Sequence, residues 1–447
     1  MNTPLFFQRR FLPMWTALSL GAFADNMLRQ ALIIGVAYGA IRAEGFANAD
    51  DAIPIIGSFF AVAMLVFSSV AGQVAEKYET ALMFRRTKFA EVILMATAAV
   101  GFAINSGWLL IVTLFAMGAQ SAFFSPVRMG AMPKYLKPDE LIRGNGFCNA
   151  GLYVSILLGL FLGGLLIARA DGAIWVSAFL FSAALLGFLA ILQAPPAPAD
   201  APDLKLDWNP LTQSLRILTF AFSSPGVARP LLGAAFFFYI STLVTVLVPL
   251  YARVSLGADE AVATAIMGVF AIGAGLGAMA SAALSKKRSG LGFSALGISL
   301  AGAMGLGVYL LTGLMPPAGE ELRGVGLLFG DIKGMALALA FCLSAVFMGL
   351  FVVPLQAAVQ RRAPAQVRSR IMAASNMMNA AAAMLGSLSV LIVTRTDLGP
   401  REAFLFVAGI QILLAAYMLR RRESVPRDLY DEMLNSDSGA ASPPREE

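Results

Sequence analysis

Long apolar runs recur along the whole chain, broken by short polar turns. Twelve of them are long enough to cross a bilayer, near residues 11–40, 53–75, 88–104, 107–127, 144–168, 173–193, 229–253, 261–285, 290–314, 335–358, 370–394 and 402–420. The hydrocarbon core needs about 20 helical residues, and in lipid the backbone must satisfy its own hydrogen bonds within helices or closed barrels. Runs of this length predict helices rather than barrel strands. The expected class is an all-α polytopic membrane protein with twelve transmembrane helices.

Two polar stretches and a repeat organise these runs. Gln193-Ala-Pro-Pro-Ala-Pro-Ala-Asp-Ala-Pro-Asp-Leu-Lys-Leu-Asp207 is rich in proline and acids and reads as an extended linker. The tail after Arg422 is polar and ends Ser-Pro-Pro-Arg-Glu-Glu447, a composition that does not build a core. Phe124-Ser-Pro-Val-Arg-Met-Gly130, followed by Arg143 and Asn149, has a counterpart in Val353-Pro-Leu-Gln356, followed by Arg370 and Asn376; both the Arg and the Asn pair are 227 residues apart. The expected layout is a six-helix half over 1–193, a cytoplasmic linker over 194–228, a second six-helix half over 229–424 and a cytoplasmic tail over 425–447. Duplicated six-helix halves around a central path are a transporter architecture.

Composition narrows the class. Of 447 residues, 58% are hydrophobic and 13% charged, against about 25% charged in a soluble domain. Histidine is absent, which removes the commonest metal ligand, and Cys148 and Cys342 lie far apart in apolar runs. Neither a metal site nor a disulfide framework is expected; no cofactor motif, nucleotide-binding loop or nucleophile–base constellation appears, so an enzyme is not expected. The first apolar run is too long for a cleaved signal peptide. The net charge of +6 does not point to nucleic acid, because the bases are partitioned by topology. With the N-terminus cytoplasmic, loops and tails on that side hold 25 Lys and Arg against 7 on the other. That is the positive-inside pattern, and it places both termini in the cytoplasm.

The first run is the anomaly. Its centre reads Ala24-Asp25-Asn26-Met27-Leu28-Arg29-Gln30. A charge at membrane depth costs roughly 2.5–3.5 kcal/mol on insertion scales and almost always faces a protein interior. Asp25 and Arg29 share one helical face, where a pair at i,i+4 partly neutralises itself. The expected substrate-facing groups are therefore Asp25 and Arg29, with Asn26 and Gln30 beside them; the alternative reading is an internal Asp25–Arg29 pair that only stabilises the helix. Further polar residues at membrane depth are Gln120, Asn149, Tyr239, Gln356 and Asn376, for which interhelical hydrogen bonding is an equal reading. Gly159 and Gly163 in the fifth run, and Gly273, Gly275 and Gly277 in the eighth, predict close helix contacts.

Ala71-Gly-Gln-Val-Ala-Glu-Lys-Tyr-Glu-Thr-Ala-Leu-Met-Phe-Arg-Arg-Thr-Lys88, after the second run, resembles the signature loop of the major facilitator superfamily, although Glu79 stands where a second glycine is usual. The resemblance implies conformational roles for Gly72, which permits close helix contact, for a Glu76–Arg86 charge latch, and for Glu91 as a member of that cluster. The basic run Lys286-Lys287-Arg288 is its counterpart in the second half. Phe6-Phe-Gln-Arg-Arg-Phe-Leu-Pro13, Gly21-Ala-Phe-Ala-Asp-Asn26, Phe123-Phe-Ser-Pro-Val-Arg-Met-Gly130 and Gly349-Leu-Phe-Val-Val-Pro-Leu-Gln356 together look like the bacterial lysophospholipid transporter family. That resemblance implies a major facilitator fold and movement of lysophospholipid, chiefly lysophosphatidylethanolamine, from the outer to the inner leaflet of the bacterial inner membrane. A separate lysophospholipid acyltransferase would then re-acylate it. The implied partners are the lysolipid substrate and membrane lipids, with a monomeric transporter. The rival reading is a major facilitator exporter of drugs or small amphiphiles, which an acid on the first helix and an apolar cavity would also suit.

Overall fold

A computed structural model describes residues 5–42, 49–137, 140–206, 209, 219, 222, 225–285, 292–316, 321–362, 368–396 and 399–422. These form twelve long helices: α1 (Leu12–Ala37), α2 (Ala49–Lys77), α3 (Thr80–Ala103), α4 (Gly107–Tyr135), α5 (Leu141–Ile167), α6 (Gly172–Ile191), α7 (Pro225–Val254), α8 (Glu260–Ser285), α9 (Gly292–Gly313), α10 (Ile332–Arg362), α11 (Arg368–Arg395) and α12 (Pro400–Arg422). A 3-10 turn, Leu5–Phe7, precedes α1, and a one-turn helix, Gly326–Phe329, precedes α10.

Nine helices are long and apolar enough to cross a membrane on their own among the described residues, rather than the expected twelve. The three others are α1, α3 and α5. Asp25, Asn26, Arg29 and Gln30 dilute α1, and Arg85, Arg86, Lys88 and Glu91 dilute α3. In α5 the described apolar stretch is Val154–Ile167.

Local signals set several helix starts. Pro13 sits in the first turn of α1, where its missing N–H costs nothing. Ser106 caps α4 by accepting from the Leu109 amide. The expected start of the third helix at residue 88 moves back to Thr80, because Glu79 caps it: its carboxylate accepts from the Ala81 and Leu82 amides at 3.3 and 3.0 Å. Side-chain capping satisfies amides that the helix leaves orphaned. A helix beginning eight residues earlier carries Lys88 inside the bundle.

Packing repeats between the halves. In the first, α1 packs on α5, α2 on α4, and α3 on α4 and α6; in the second, α7 packs on α11, α8 on α10, and α9 on α10 and α12. The halves meet through α2–α11 and α5–α8, which exchange under the same two-fold relation. The α1–α5 approach rests on the expected glycines: a Cβ at Gly159 would lie 2.5 Å from the Phe23 carbonyl oxygen, and one at Gly163 2.6 Å from that of Met27. Gly273 and Gly277 bring α8 equally close to the α10 backbone at Cys342 and Val346.

Ties between the halves gather where α1 ends and α2 begins. The Tyr38 hydroxyl donates to the Ala258 and Asp259 carbonyls, Arg253 to that of Ala37, Ser387 to that of Pro54, and Thr394 to the Asp51 carboxylate. At the opposite end, the segment after α6 is fastened to its own half rather than running free. Thr80 N–H donates to the Ala197 carbonyl, and the Asp200 and Ala201 amides to that of Glu76. Tyr135 donates to the Pro195 carbonyl, and Lys134 pairs with Asp200 at 2.9 Å. The latter part of the expected linker lies mostly outside the described residues, as do the Lys286-Lys287-Arg288 run and the 425–447 tail.

Candidate functional site

A cavity of ≈ 250 Å³ opens on the inner face of the first half, between α1, α2, α3, α4 and α5. Its ionisable lining is Asp25, Arg29, Lys88, Glu91 and Arg128, three cations and two anions. Apolar walls come from Phe60, Met64, Leu152 and Ile156.

Asp25 and Arg29 both face this space, as expected, but they do not pair. Among the described residues no ion pair joins them. Asp25 Oδ2 instead accepts from the Ser121 hydroxyl of α4 at 2.8 Å, and Arg29 Nη2 donates to Asn26 Oδ1 at 2.8 Å. Asn26 in turn donates to the Ala22 carbonyl one turn back. Sharing a face of one helix permits contact without requiring it, and the neighbouring helix offers Asp25 a better-placed donor. Asp25 Oδ1 and Arg29 Nε are buried with no hydrogen-bond partner among the described residues. Opposite charges thus stand one helical turn apart on the cavity wall, each with an unused polar atom. Leaving buried polar atoms unpaired is costly, so such a wall suits a ligand carrying both charges.

The adjoining ion pair was not legible as part of the site. Lys88 Nζ meets Glu91 Oε2 at 2.7 Å, and both side chains are 1% exposed. Gln120 is drawn in as expected, but as a brace: its Nε2 donates to Glu91 Oε2 at 3.1 Å and to the Thr87 carbonyl at 3.0 Å. Its Oε1 accepts from the Ser121 hydroxyl at 3.3 Å. A continuous polar chain therefore runs from Lys88 through Glu91, Gln120 and Ser121 to Asp25. Lys88 also sits 4.9 Å from the centre of the Phe124 ring, a cation–π contact. Its signal in the sequence was the i,i+3 spacing of Lys88 and Glu91, hidden because the run from Arg85 reads as loop. Arg128, just past Pro126, reads as a helix end but lines the cavity from within α4.

Other expected residues fall elsewhere. Glu91 joins Lys88 inside the bundle, not a cluster with Glu76 and Arg86. Glu76 and Arg86 are both exposed and, among the described residues, no ion pair joins them. The Glu76 carbonyl is what binds, holding the segment after α6, and Glu79 supplies the carboxylate that the Ala197 amide contacts at 3.2 Å. Nothing lies within 4 Å of a Cβ built on Gly72, so its expected close helix contact does not occur. Gln30 is fully buried and does not line the cavity; both of its side-chain polar atoms lack a partner among the described residues. The Tyr239 hydroxyl of α7 shares a hydrogen bond with Ser389 of α11 at 2.9 Å. Gln356 and Asn376 are half-buried in α10 and α11, away from the cavity lining. Asn149 lies in α5 with its side chain outside the described residues.

Comparison with known proteins adds the following. The signature of the Major Facilitator Superfamily matches residues 15–387. A lysophospholipid transporter, LplT, of Enterobacter sp. (strain 638) is 26% identical over 81% of this chain and 82% of its own. LplT of Escherichia coli O1:K1 / APEC is 28% identical over 77% and 78%. Among solved structures, the peptide transporter POT in complex with sulfate superposes with a TM-score of 0.69 at 16% identity, covering 95% of this chain and 96% of that one. A bacterial homologue of the human lysosomal transporter Spinster, inward-facing and unoccupied, gives 0.62 at 12%, covering 93% and 96%. At those identities the structures speak to the fold alone.

Proposed function

The chain belongs to the Major Facilitator Superfamily, and from that premise we propose that it carries lysophospholipids across the bacterial inner membrane, from the outer to the inner leaflet. One observation carries the reading: Asp25 Oδ1 and Arg29 Nε are unpartnered polar atoms of opposite charge on one cavity wall. An ethanolamine ammonium fits the first and a phosphate the second, with Arg128 as a further cation. The single acyl chain would lie against the apolar wall and leave through a gap between helices into lipid. Similarity to the LplT transporters over about four-fifths of the chain supports the same substrate class.

With both termini cytoplasmic, the ties at Tyr38, Asp51 and Arg253 close the periplasmic end, and the cavity is reached from the cytoplasm. Rocking of the two halves about the site would alternate its access. A separate acyltransferase would consume the product, and the transporter would act as a monomer.

The test is uptake of labelled lysophosphatidylethanolamine into spheroplasts lacking their own transporter. Uptake by the wild type, lost with Asp25→Ala at equal membrane abundance, supports the reading. A wild type that moves no lysolipid but confers resistance to cationic drugs would replace it with the exporter.

A further inference from the structure

The Lys88–Glu91 pair is a second set of charges in a cavity whose headgroup contacts already have their own. Its position is specific. A Cβ at Gly21 would lie 2.5 Å from Lys88 Nζ, so the ammonium occupies the notch that this glycine leaves on α1. Gly21 precedes Asp25 by four residues and shares its helical face. The lysine cation therefore rests on the face of α1 that carries Asp25. What it contacts is Glu91, whose Oε2 is held by both Lys88 and Gln120. Phe124 covers it from α4.

We propose that Glu91 is a specificity-determining positioning residue: by holding Lys88 in the Gly21 notch it keeps that cation off Asp25, and so leaves the carboxylate to the ammonium of a zwitterionic lysolipid. The proposal rests on the lysophospholipid reading. Without the Glu91 charge, Asp25 is the remaining carboxylate in the cavity lining that Lys88 shares, and an internal lysine outcompetes an incoming ammonium because it is tethered at high effective concentration. A headgroup with no ammonium does not need Asp25 and is spared that competition. A pair that served folding alone would, when broken, lower uptake of every headgroup together.

Uptake of labelled lysophosphatidylethanolamine and lysophosphatidylglycerol is compared in spheroplasts at matched membrane abundance. Glu91→Gln is expected to lower the ethanolamine-to-glycerol uptake ratio by about tenfold, the scale of one charge-assisted contact. The double variant Lys88→Met/Glu91→Gln, which removes the stray cation as well, is expected to return the ratio to that of the wild type. An unchanged ratio in Glu91→Gln, or a ratio that Lys88→Met does not restore, overturns the proposal while leaving the transport reading intact. Absence of lysolipid uptake by the wild type overturns both.

Discussion

The two halves share one packing scheme and almost nothing of its chemistry. In the first, α1, α3 and α4 turn charged residues toward a cavity of ≈ 250 Å³. In the second, a void of ≈ 10 Å³ lies between α7, α8, α9, α10 and α12, lined by residues such as Val244, Phe270, Phe341 and Phe404. Its polar lining is Ser344 and Gln411. Helix α7, the counterpart of α1, carries its charged residues, Arg229 and Arg253, near its two ends. Duplication thus supplies a frame whose helix contacts are set by small residues, while the charged cavity lining belongs to one copy.

The largest expected effect comes from breaking the buried ion pair of the charged half. Glu91→Ala takes from Lys88 the carboxylate it meets at 1% exposure; losing one partner of such a pair costs up to about 3–5 kcal/mol, less whatever re-pairing with Asp25 restores. Thermal unfolding in detergent should show a marked fall in midpoint for Glu91→Ala, with partial recovery in Lys88→Met/Glu91→Ala. An unshifted midpoint would mean that re-pairing of Lys88 with Asp25 fully replaces the Glu91 contact, and the pair would add nothing to the stability of the charged half.

Next is Asp25→Ala, expected to lower lysolipid uptake by about 10- to 100-fold, the worth of a charge-assisted contact. Ser344→Ala, in the small void of the second half, is expected to change uptake less than twofold, because a side-chain hydroxyl there has no charge to answer. Comparable losses from both would show that the second half also contacts the headgroup.

A smaller effect separates two buried glutamines. Gln120→Leu removes the donor to Glu91 and Thr87 and should cost about 1–3 kcal/mol of stability. Gln411 of α12 donates to the Met348 sulfur at 3.3 Å, and its Oε1 is buried without a partner among the described residues. Gln411→Leu deletes a poorly satisfied group, so stability should change by less than about 1 kcal/mol in either direction. Chemical denaturation of the two variants side by side checks the ordering.

How much of this was legible in the sequence follows from what a helix can and cannot reveal by itself. The apolar runs and the repeat show the helices and their duplication, because burial in lipid leaves its mark on every residue of a span. Asp25 and Arg29 stand out for the same reason. Their partners do not, since Ser121 is 96 residues from Asp25 and only the packing of α1 beside α4 brings them together. Lys88 was masked by Arg85 and Arg86: a run of bases before an apolar stretch reads as a loop, and the cap at Glu79 that makes it helix is a single side chain. The expected Glu76–Arg86 latch failed because α2 ends at Lys77 and the chain turns at once into α3, which leaves both side chains exposed.

The smallest effect concerns an ion pair at the bundle's rim, which sets a lower bound for the value of charge in the first half. Arg10 Nη2 and Glu140 Oε1 are 2.6 Å apart, in a partly exposed site just before α5. The Arg10 guanidinium donates to both carboxylate oxygens, and the Lys137 amide adds a third hydrogen bond. Held this way, the Glu140 carboxyl titrates at about 2 instead of its ordinary 4.5. A carboxyl whose pKa is lower in the folded state stabilises that state above its unfolded pKa. Its contribution is therefore complete above about pH 4.5 and is lost as pH falls from there toward about 2. Glu140→Gln should be less stable than the wild type at pH 7, and the gap should narrow on acidification through that window. The gap at pH 7 should also shrink at high salt, which screens an exposed pair and leaves Lys88–Glu91 untouched. Paired unfolding curves at pH 7 and pH 4, in low and high salt, provide the measurement. A salt-independent gap would place this pair with the buried charges instead of the solvated ones.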